Sequence, residues 1–315
     1  MQKNPEIAVL LATYNGELFL KQQLDSIFAQ TYTNFKIYIS DDNSTDRTPE
    51  ILLHYQQMYP EKFFYSINKV NIGLVKNFEQ LLQKSNDDYM AFSDQDDIWY
   101  KNKLEIQMQE MLKLEAAEKD KACLIHSDLK MVDEKGQLLV DSYFRYRDYD
   151  LRPQKDLGHI LGPCGVMGNT LLINKKLKDA VLPFPIELDV HDYWIAVNCE
   201  LFGFRKTVFK PLLEYRIHYA NSSNSKKKLS KSFLRLNRDI KLPNLDTNRK
   251  IFLTPLSTKI TSVSDRVVFD AYLKYLKFQK NRFVLYINLL KYSLVKRNTF
   301  FRIKLFFKMF FTKRY

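Results

Sequence analysis

Three carboxylates fall within four positions at Asp94, Asp96 and Asp97, in the run YMAFSDQDDIW (89–99). Tyr89–Phe92 is apolar and reads as a short buried strand, so the acids stand at its exit. Like charges this close repel, and a desolvated carboxylate is costly unless something neutralises it. Two readings are open. In a solvated turn the acids face water, a common setting for Asp. Alternatively, a divalent cation such as Mg2+ or Mn2+ takes one or two carboxylates together with the oxygens of a substrate phosphate.

The surrounding elements bear on that choice. The first 130 residues alternate two periods. Ile7–Ala12, Phe35–Ile39, Phe63–Ile67 and Tyr89–Phe92 are short apolar runs that read as strands. Between and after them lie helical stripes: Leu20, Leu24, Ile27 and Phe28; Ile51, Leu52, Tyr55 and Met58; Leu74, Phe78, Leu81 and Leu82; Leu104, Met108, Met111 and Leu112. Continuous apolar strands alternating with helices predict an α/β fold with a mostly parallel sheet covered on both faces. In such sheets ligands bind outside the carboxyl ends of the strands. TYNGE (13–17), SDDNSTD (40–46) and SDQDD (93–97) all fall at strand exits, on one rim. That convergence favours a ligand over an isolated turn. Neither a G-x-G-x-x-G nor a Walker A loop follows the first strand, so a phosphate would be held by other means, with a cation at the aspartates the obvious one.

Residues 122–225 are less regular. ACLIHSD (122–128) reads as a strand, GPCGVMGNTLLIN (162–174) sets glycines ahead of another, HDYWIAVNCELFG (191–203) turns from polar residues into an apolar helix, and EYRIHYANSSN (214–224) is a polar loop. Three widely spaced cysteines, Cys123, Cys164 and Cys199, form neither a metal-ligand pair nor a disulfide framework, which suits a reducing cytosol.

Taken in order, LLATYNGELFLKQQLDSIFAQTY (10–32), ISDDNSTDRT (39–48), NIGLVKNF (71–78), SDQDDIW (93–99), HDYW (191–194) and YRIHYANSS (215–223) resemble a family 2 glycosyltransferase of the GT-A fold, over roughly residues 5–225. The DQDDIW form and the late YRxH resemble the rhamnosyltransferase-like branch, which often uses dTDP-rhamnose. The resemblance implies roles. Thr13, Tyr14 and Glu17 would line the nucleotide pocket, and Asp41 or Asp42 would accept from the ring N–H of uracil or thymine. Asp94 would contact the ribose side, although Gln95 stands where the family has a small residue. Asp96 would bind the metal, Mg2+ or Mn2+, that bridges the diphosphate, and Asp97 would orient the loop. Arg216 and His218 fall where the family meets the pyrophosphate or the metal. Asp192 falls at the general base of an inverting transfer, with a helix N-cap as the plainer reading. His191 would support it, Gly165 and Gly168 would suit close approach to the donor sugar or simply tight turns, and Trp99 and Trp194 are packing or sugar-stacking residues. His126 and Asp128 read as packing residues more readily than as part of the site. The Q-x-x-R-W motif and transmembrane helices of processive relatives are missing, which favours transfer of one or a few sugars.

The charge is uneven. Residues 1–225 hold 26 Lys+Arg against 32 Asp+Glu, and residues 226–315 hold 23 against 4, so the formal net charge of +13 belongs to the tail. We therefore expect a catalytic domain over 1–225 and a basic, amphipathic helical region over 226–315. Two apolar faces are expected there, one of Tyr272, Tyr275, Leu276 and Phe283 and one of Ile303, Phe306, Phe307 and Phe310. Such helices suit an anionic membrane surface on the cytoplasmic side, where a lipid-linked or glycan acceptor would share the plane; packing on the catalytic domain or oligomerisation is the alternative. No apolar run reaches the length of a spanning helix. Two other functions compete. A sugar nucleotidyltransferase would show a Gly-rich basic loop in place of TYNGEL, and a nucleic-acid-binding protein would show a recognition motif, which the tail lacks.

Overall fold

The computed structural model describes residues 4–218, 247–276 and 282–311. The elements run β1 (Ile7–Thr13), α1 (Leu20–Phe28), β2 (Phe35–Asp41), α2 (Thr48–Met58), β3 (Phe63–Ile67), α3 (Leu74–Lys84), β4 (Tyr89–Ser93), β5 (Ile98–Trp99), α4 (Lys103–Ala117), β6 (Ala122–Val132), β7 (Leu138–Val140), α5 (Tyr143–Tyr146), α6 (Leu157–Leu161), β8 (Leu172–Asn174), α7 (Lys175–Val181), α8 (His191–Phe202) and β9 (Gly203–Arg216). Then come α9 (Thr247–Leu253), α10 (Val263–Leu276), α11 (Arg282–Lys291) and α12 (Thr299–Phe311).

The strands form one sheet in the order β3-β2-β1-β4-β8-β6-β9-β5, with β7 on β6. Pairs β3–β2, β2–β1, β1–β4 and β6–β9 are parallel, whereas β8 runs antiparallel to both neighbours and β5 and β7 are antiparallel too. The chain moves outward from β1 to β3 and returns on the other side of β1 with β4. Connections therefore leave in opposite directions at the carboxyl ends of β1 and β4, which opens a crevice between them.

Alternation along β1 divides two cores. Ile7, Val9 and Leu11 pack with α1, α2 and α4. Ala8, Leu10 and Ala12 join α3, α6, α7 and α8 on the other face. That second core also takes in Phe252, Leu256, Phe269, Tyr272, Leu289, Leu294, Leu305 and Met309. The C-terminal helices thus share a core with the N-terminal sheet. The expected boundary at 225 lies outside the described residues.

Several local expectations shift. The strand begun by ACLIHSD continues to Val132, and the glycine run follows the short α6 and holds a 3-10 turn at Gly168–Thr170 and then β8. Met58, Leu74 and Leu112 are exposed; in α4 the buried stripe is carried by Gln107 and Leu114 rather than Leu112. The face joining Tyr272, Tyr275 and Leu276 to Phe283 is not one surface, because Phe283 starts a separate helix and is exposed. In α12, Leu305 and Met309 point inward and Phe306 and Phe310 pack on Tyr286, which leaves Phe300, Ile303 and Phe307 outward.

Candidate active site

The loop after β1 and the loop after β4 meet across the crevice. The Gln95 amide makes two bonds to one residue: Tyr14 N donates to Oε1 at 2.8 Å, and Nε2 donates to Tyr14 O at 3.0 Å. This brings Gln95 onto Gly16, where a Cβ would stand 2.5 Å from Oε1, so a larger residue there would have to displace the Gln95 amide from Tyr14. Gln95, an open question in the sequence, is the link that fixes the β1 loop to the acidic loop.

At the far side of β1, Thr13 Oγ1 donates to Asp41 Oδ1 at 2.7 Å, and Ser44 donates to the same carboxylate through N and Oγ. Asp42 accepts from Asn68 Nδ2, Ile72 N and Gly73 N at 3.0, 2.9 and 2.8 Å, and so holds the turn ahead of α3. Glu17 accepts from Arg47 N at 3.0 Å and remains exposed, as does Tyr14. Thr13, Tyr14, Glu17 and Asp41 therefore gather on one wall of the crevice, with Asp42 behind them as a buried brace.

Around the β4 exit the charge is concentrated. Burial, then Asp96, then Asp192 push the Asp94 carboxyl up to about 7. Asp97 is raised well above the usual carboxylate range by burial and by Asp94 and Asp96; its Oδ2 accepts from Asn169 Nδ2 at 2.7 Å. Its Oδ1 has no partner among the described residues. Beneath lies Lys103, fully buried, its amine 3.8 Å from the Trp99 ring centroid and bonded to Gln107. Burial lowers its pKa to about 7 against the pull of Asp97. Asp96 Oδ2 and His218 Nε2 are 2.7 Å apart. Arg216 is buried and donates to Asp96 O, to Gln22 Oε1 and to the carbonyls of Asp133 and Glu134. It therefore clamps the acidic loop from behind.

Asp192 lies in the first turn of α8, two residues after Val190 at the N-cap position, so it is not itself the cap. Burial raises its carboxyl to about 6, opposed by the N–H groups of Tyr193 and Gly168 and by Arg249. Gly168 N donates to Asp192 Oδ2 at 3.0 Å, and a Cβ on Gly168 would press on the His191 ring at 3.0 Å. His191 is packed against Phe78 and Phe92 and kept neutral by burial, which lowers it to about 3. Trp194 donates to Val181 O at 2.9 Å and Trp99 is buried under Lys103, so both indoles pack. Asp128 braces Ser142 and Phe144, and His126 meets Thr207. Asn169, Lys103 and Arg249 went unnoticed in the sequence, since a polar residue in a glycine run or on a helix carries no signal of its own.

Could this site take a cation? Among the described residues no group of three or more His, Cys, Asp or Glu is arranged around one point. The surplus of buried carboxylates nevertheless suits a hard divalent ion whose remaining ligands come from a phosphate, and beside it Asp96 and His218 form a contacting carboxylate–imidazole pair.

Comparisons with known proteins bear on the family and the fold. The profile described as Glycosyl transferase family 2 matches residues 8–161. The "dTDP-rhamnosyl transferase RfbG" of Shigella flexneri is 46% identical over 99 residues, 30% of this chain and 34% of that protein. The uncharacterized glycosyltransferase RT0329 of Rickettsia typhi is 24% identical over 227 residues, 70% of this chain and 67% of its own length. The chain thus spans about a third of the first relative and two thirds of the second. Among solved structures, S. aureus TarS 1–349 in complex with UDP-GlcNAc superposes with a TM-score of 0.56 at 18% identity, covering 92% of this chain and 87% of that one. The mannosyltransferase PcManGT from Pyrobaculum calidifontis, in complex with GDP-Man and Mn2+, does so with 0.51 at 16% identity, over 99% and 89%.

Proposed function

We propose, from the match of residues 8–161 to the Glycosyl transferase family 2 profile, that this chain transfers a sugar from a nucleotide-sugar to an acceptor hydroxyl, with inversion and with a divalent cation. One observation carries the reading: two consecutive residues tie Asp192 to the acids after β4, Gly168 N donating to Asp192 Oδ2 at 3.0 Å and Asn169 Nδ2 donating to Asp97 Oδ2 at 2.7 Å. Nucleotide contacts stand on one side of these acids, and the candidate base on the other.

The parts divide the work. Thr13, Tyr14 and Glu17 line the nucleotide end, Asp41 reads the base, with Asp42 bracing the turn behind it, and Asp94 the ribose side, with Gln95 setting the spacing of the two loops. Arg216 orients the acidic loop through Asp96 O rather than meeting the diphosphate itself. Asp96 and His218 would hold Mg2+ or Mn2+, which when bound neutralises the charge of the departing diphosphate. Asp192 accepts the acceptor's hydroxyl proton while that oxygen forms its bond to the anomeric carbon. The bond from the same carbon to the diphosphate oxygen breaks, and the nucleoside diphosphate leaves with the electron pair.

For the donor we favour dTDP-rhamnose, because of the dTDP-rhamnosyl transferase relative over its 99 matched residues. For the acceptor we favour a lipid-linked or polysaccharide glycan. No helix among the described residues is long and apolar enough to cross a membrane. The outward row Phe300, Ile303 and Phe307 of α12, beside Arg302 and Lys304, suits an anionic membrane surface instead.

The test offers the full chain dTDP-rhamnose, UDP-GlcNAc and GDP-mannose, with Mg2+ or Mn2+, and measures nucleoside diphosphate release. Release from one of them, abolished by Asp96→Asn in a folded protein, is expected. Pyrophosphate release from a nucleoside triphosphate, or full activity in excess EDTA, would refute the reading. Release from a donor other than dTDP-rhamnose would overturn only the choice of sugar.

A further inference from the structure

The basic C-terminal region sends one of its cations inward, to the reacting end of the site. Arg249, on α9, lies with its guanidinium carbon 4.1 Å from the centroid of the Tyr193 ring, the residue after Asp192. Its Nη1 is 3.4 Å from the hydroxyl of Tyr272, which is fully buried on α10. Tyr193 in turn donates to Leu161 O at 2.8 Å and lies 3.4 Å from the same Tyr272 hydroxyl. One turn further along α9, Phe252 meets Tyr193 and Trp194 edge-on, at 6.3 and 6.0 Å. Two C-terminal helices therefore grip the first turn of α8, the turn that carries the candidate base.

The charges around Asp192 give that grip a chemical meaning. From the β4 loop it faces Asp94; from the glycine run and α5 it faces Cys164 and Tyr143, both of which it makes harder to ionise. Against these and against burial stand the backbone N–H groups of Gly168 and Tyr193 and the positive charge of Arg249. A base must be ionised to take a proton, and a nearby cation favours the ionised form.

We propose that Arg249 is a positioning residue of the transfer reaction. It holds the first turn of α8 by stacking on Tyr193 and supplies the positive charge that the Asp192 carboxylate faces. The proposal rests on Asp192 being the base. It also gives the C-terminal region a part in the chemistry, separate from any contact with a membrane.

The experiment is a double-mutant cycle read by thermal unfolding. The full chain, Arg249→Met, Asp192→Asn and the double variant are compared at pH 8 and at pH 5, with no donor present. Arg249→Met should lower Tm more when Asp192 is present than when it is Asn at pH 8, and the excess should shrink at pH 5, where Asp192 is protonated. A merely structural arginine would cost the same in both backgrounds at both pH values, and that result would overturn the proposal. Arg249→Lys should keep the coupling, and Arg249→Gln replaces the Met variant if that one does not fold. In donor hydrolysis, the acidic limb of kcat for Arg249→Met should move up by about one pH unit, roughly a tenfold loss on that limb, while stabilisation by dTDP or UDP with Mn2+ stays within twofold in apparent affinity. If Asp192→Asn hydrolyses donor as well as the parent, the base assignment fails. If it is inactive and the Arg249→Met limb does not move, Arg249 alone is misassigned.

Discussion

Substituting Ala for Gly158 tests how the C-terminal region is seated, because the sign of the effect depends on it. Gly158 sits in α6, and a Cβ placed there would stand 1.7 Å from the carbonyl oxygen of Tyr292. The neighbour is backbone and has no rotamer by which to escape. It is also tied down: Arg297 pairs with Asp156 at 2.6 Å and bonds to Asp150 O, and Lys296 bonds to Arg147 O. To reach an ordinary contact the 292–297 segment would have to lift by more than an ångström. Overpacking of this kind costs roughly 1–3 kcal/mol. Ala is the better helix former and returns about 0.5–1 kcal/mol. Because a tethered backbone cannot give way, the upper part of that overpacking range applies, about 2–3 kcal/mol. The balance is a net loss of roughly 1–2.5 kcal/mol, or a few degrees in Tm for a chain of this size. If the segment were seated elsewhere, only the helix term would remain and Ala would stabilise the protein. Thermal and urea unfolding of the full chain read the difference. An unchanged or higher Tm for Gly158→Ala would refute the seating; Gly162→Ala, whose Cβ would stand 2.0 Å from Leu294 O, should behave in the same way.

Two other outcomes follow from the site and the surface. The Asp192 carboxyl is raised from its ordinary value to about 6, so the folded state favours its protonated form. Its charge therefore costs stability in full at pH values above about 6, and the cost fades as pH falls from 6 toward 4, where it is gone. Asp192→Asn should remove transfer yet raise Tm at pH 8, with a gain of order 3 kcal/mol at most that shrinks toward pH 4; a gain that does not depend on pH would contradict the environment described. On the surface, replacing Phe300, Ile303 and Phe307 by Ser in the full chain should abolish flotation with anionic liposomes at low salt and leave donor hydrolysis intact, whereas undiminished flotation would remove α12 as the contact.

The first half of the fold was legible because each strand and helix carries its own period. Strands β1 to β4 are continuous apolar runs, and their exits alone put Thr13, Asp41 and Asp94 on one rim. The antiparallel β8 was not legible in its pairing, since Leu172–Asn174 is only three residues and its place between β4 and β6 is set by contacts distant in sequence. Side-chain roles divided in a similar way. The acids could be named, but their neighbours decide what each does. Asp42 braces a turn because Asn68, Ile72 and Gly73 reach it, and Arg216 serves a loop that lies 120 residues earlier. The tail was read by its charge, which is a surface property. Its buried side, Phe252, Tyr272, Leu289 and Leu305, is scattered over four helices and shows no single stripe.

The core on the α3 side of the sheet draws on both Ala8 and Met309, and that span constrains how the chain can be made. During synthesis the other core can close once β9 has emerged, because its last members are Leu213 and Ile217 and all of them precede residue 218. The face bearing Leu10, Phe78 and Phe92 has no such early closure. It waits for α8, then for the helices after residue 247, with a sticky surface open in the interval. Chains released early, or substituted so that the last helices dock slowly, should therefore accumulate as aggregates carrying an intact first core, and holdase chaperones should associate with nascent chains through this face rather than through the nucleotide crevice.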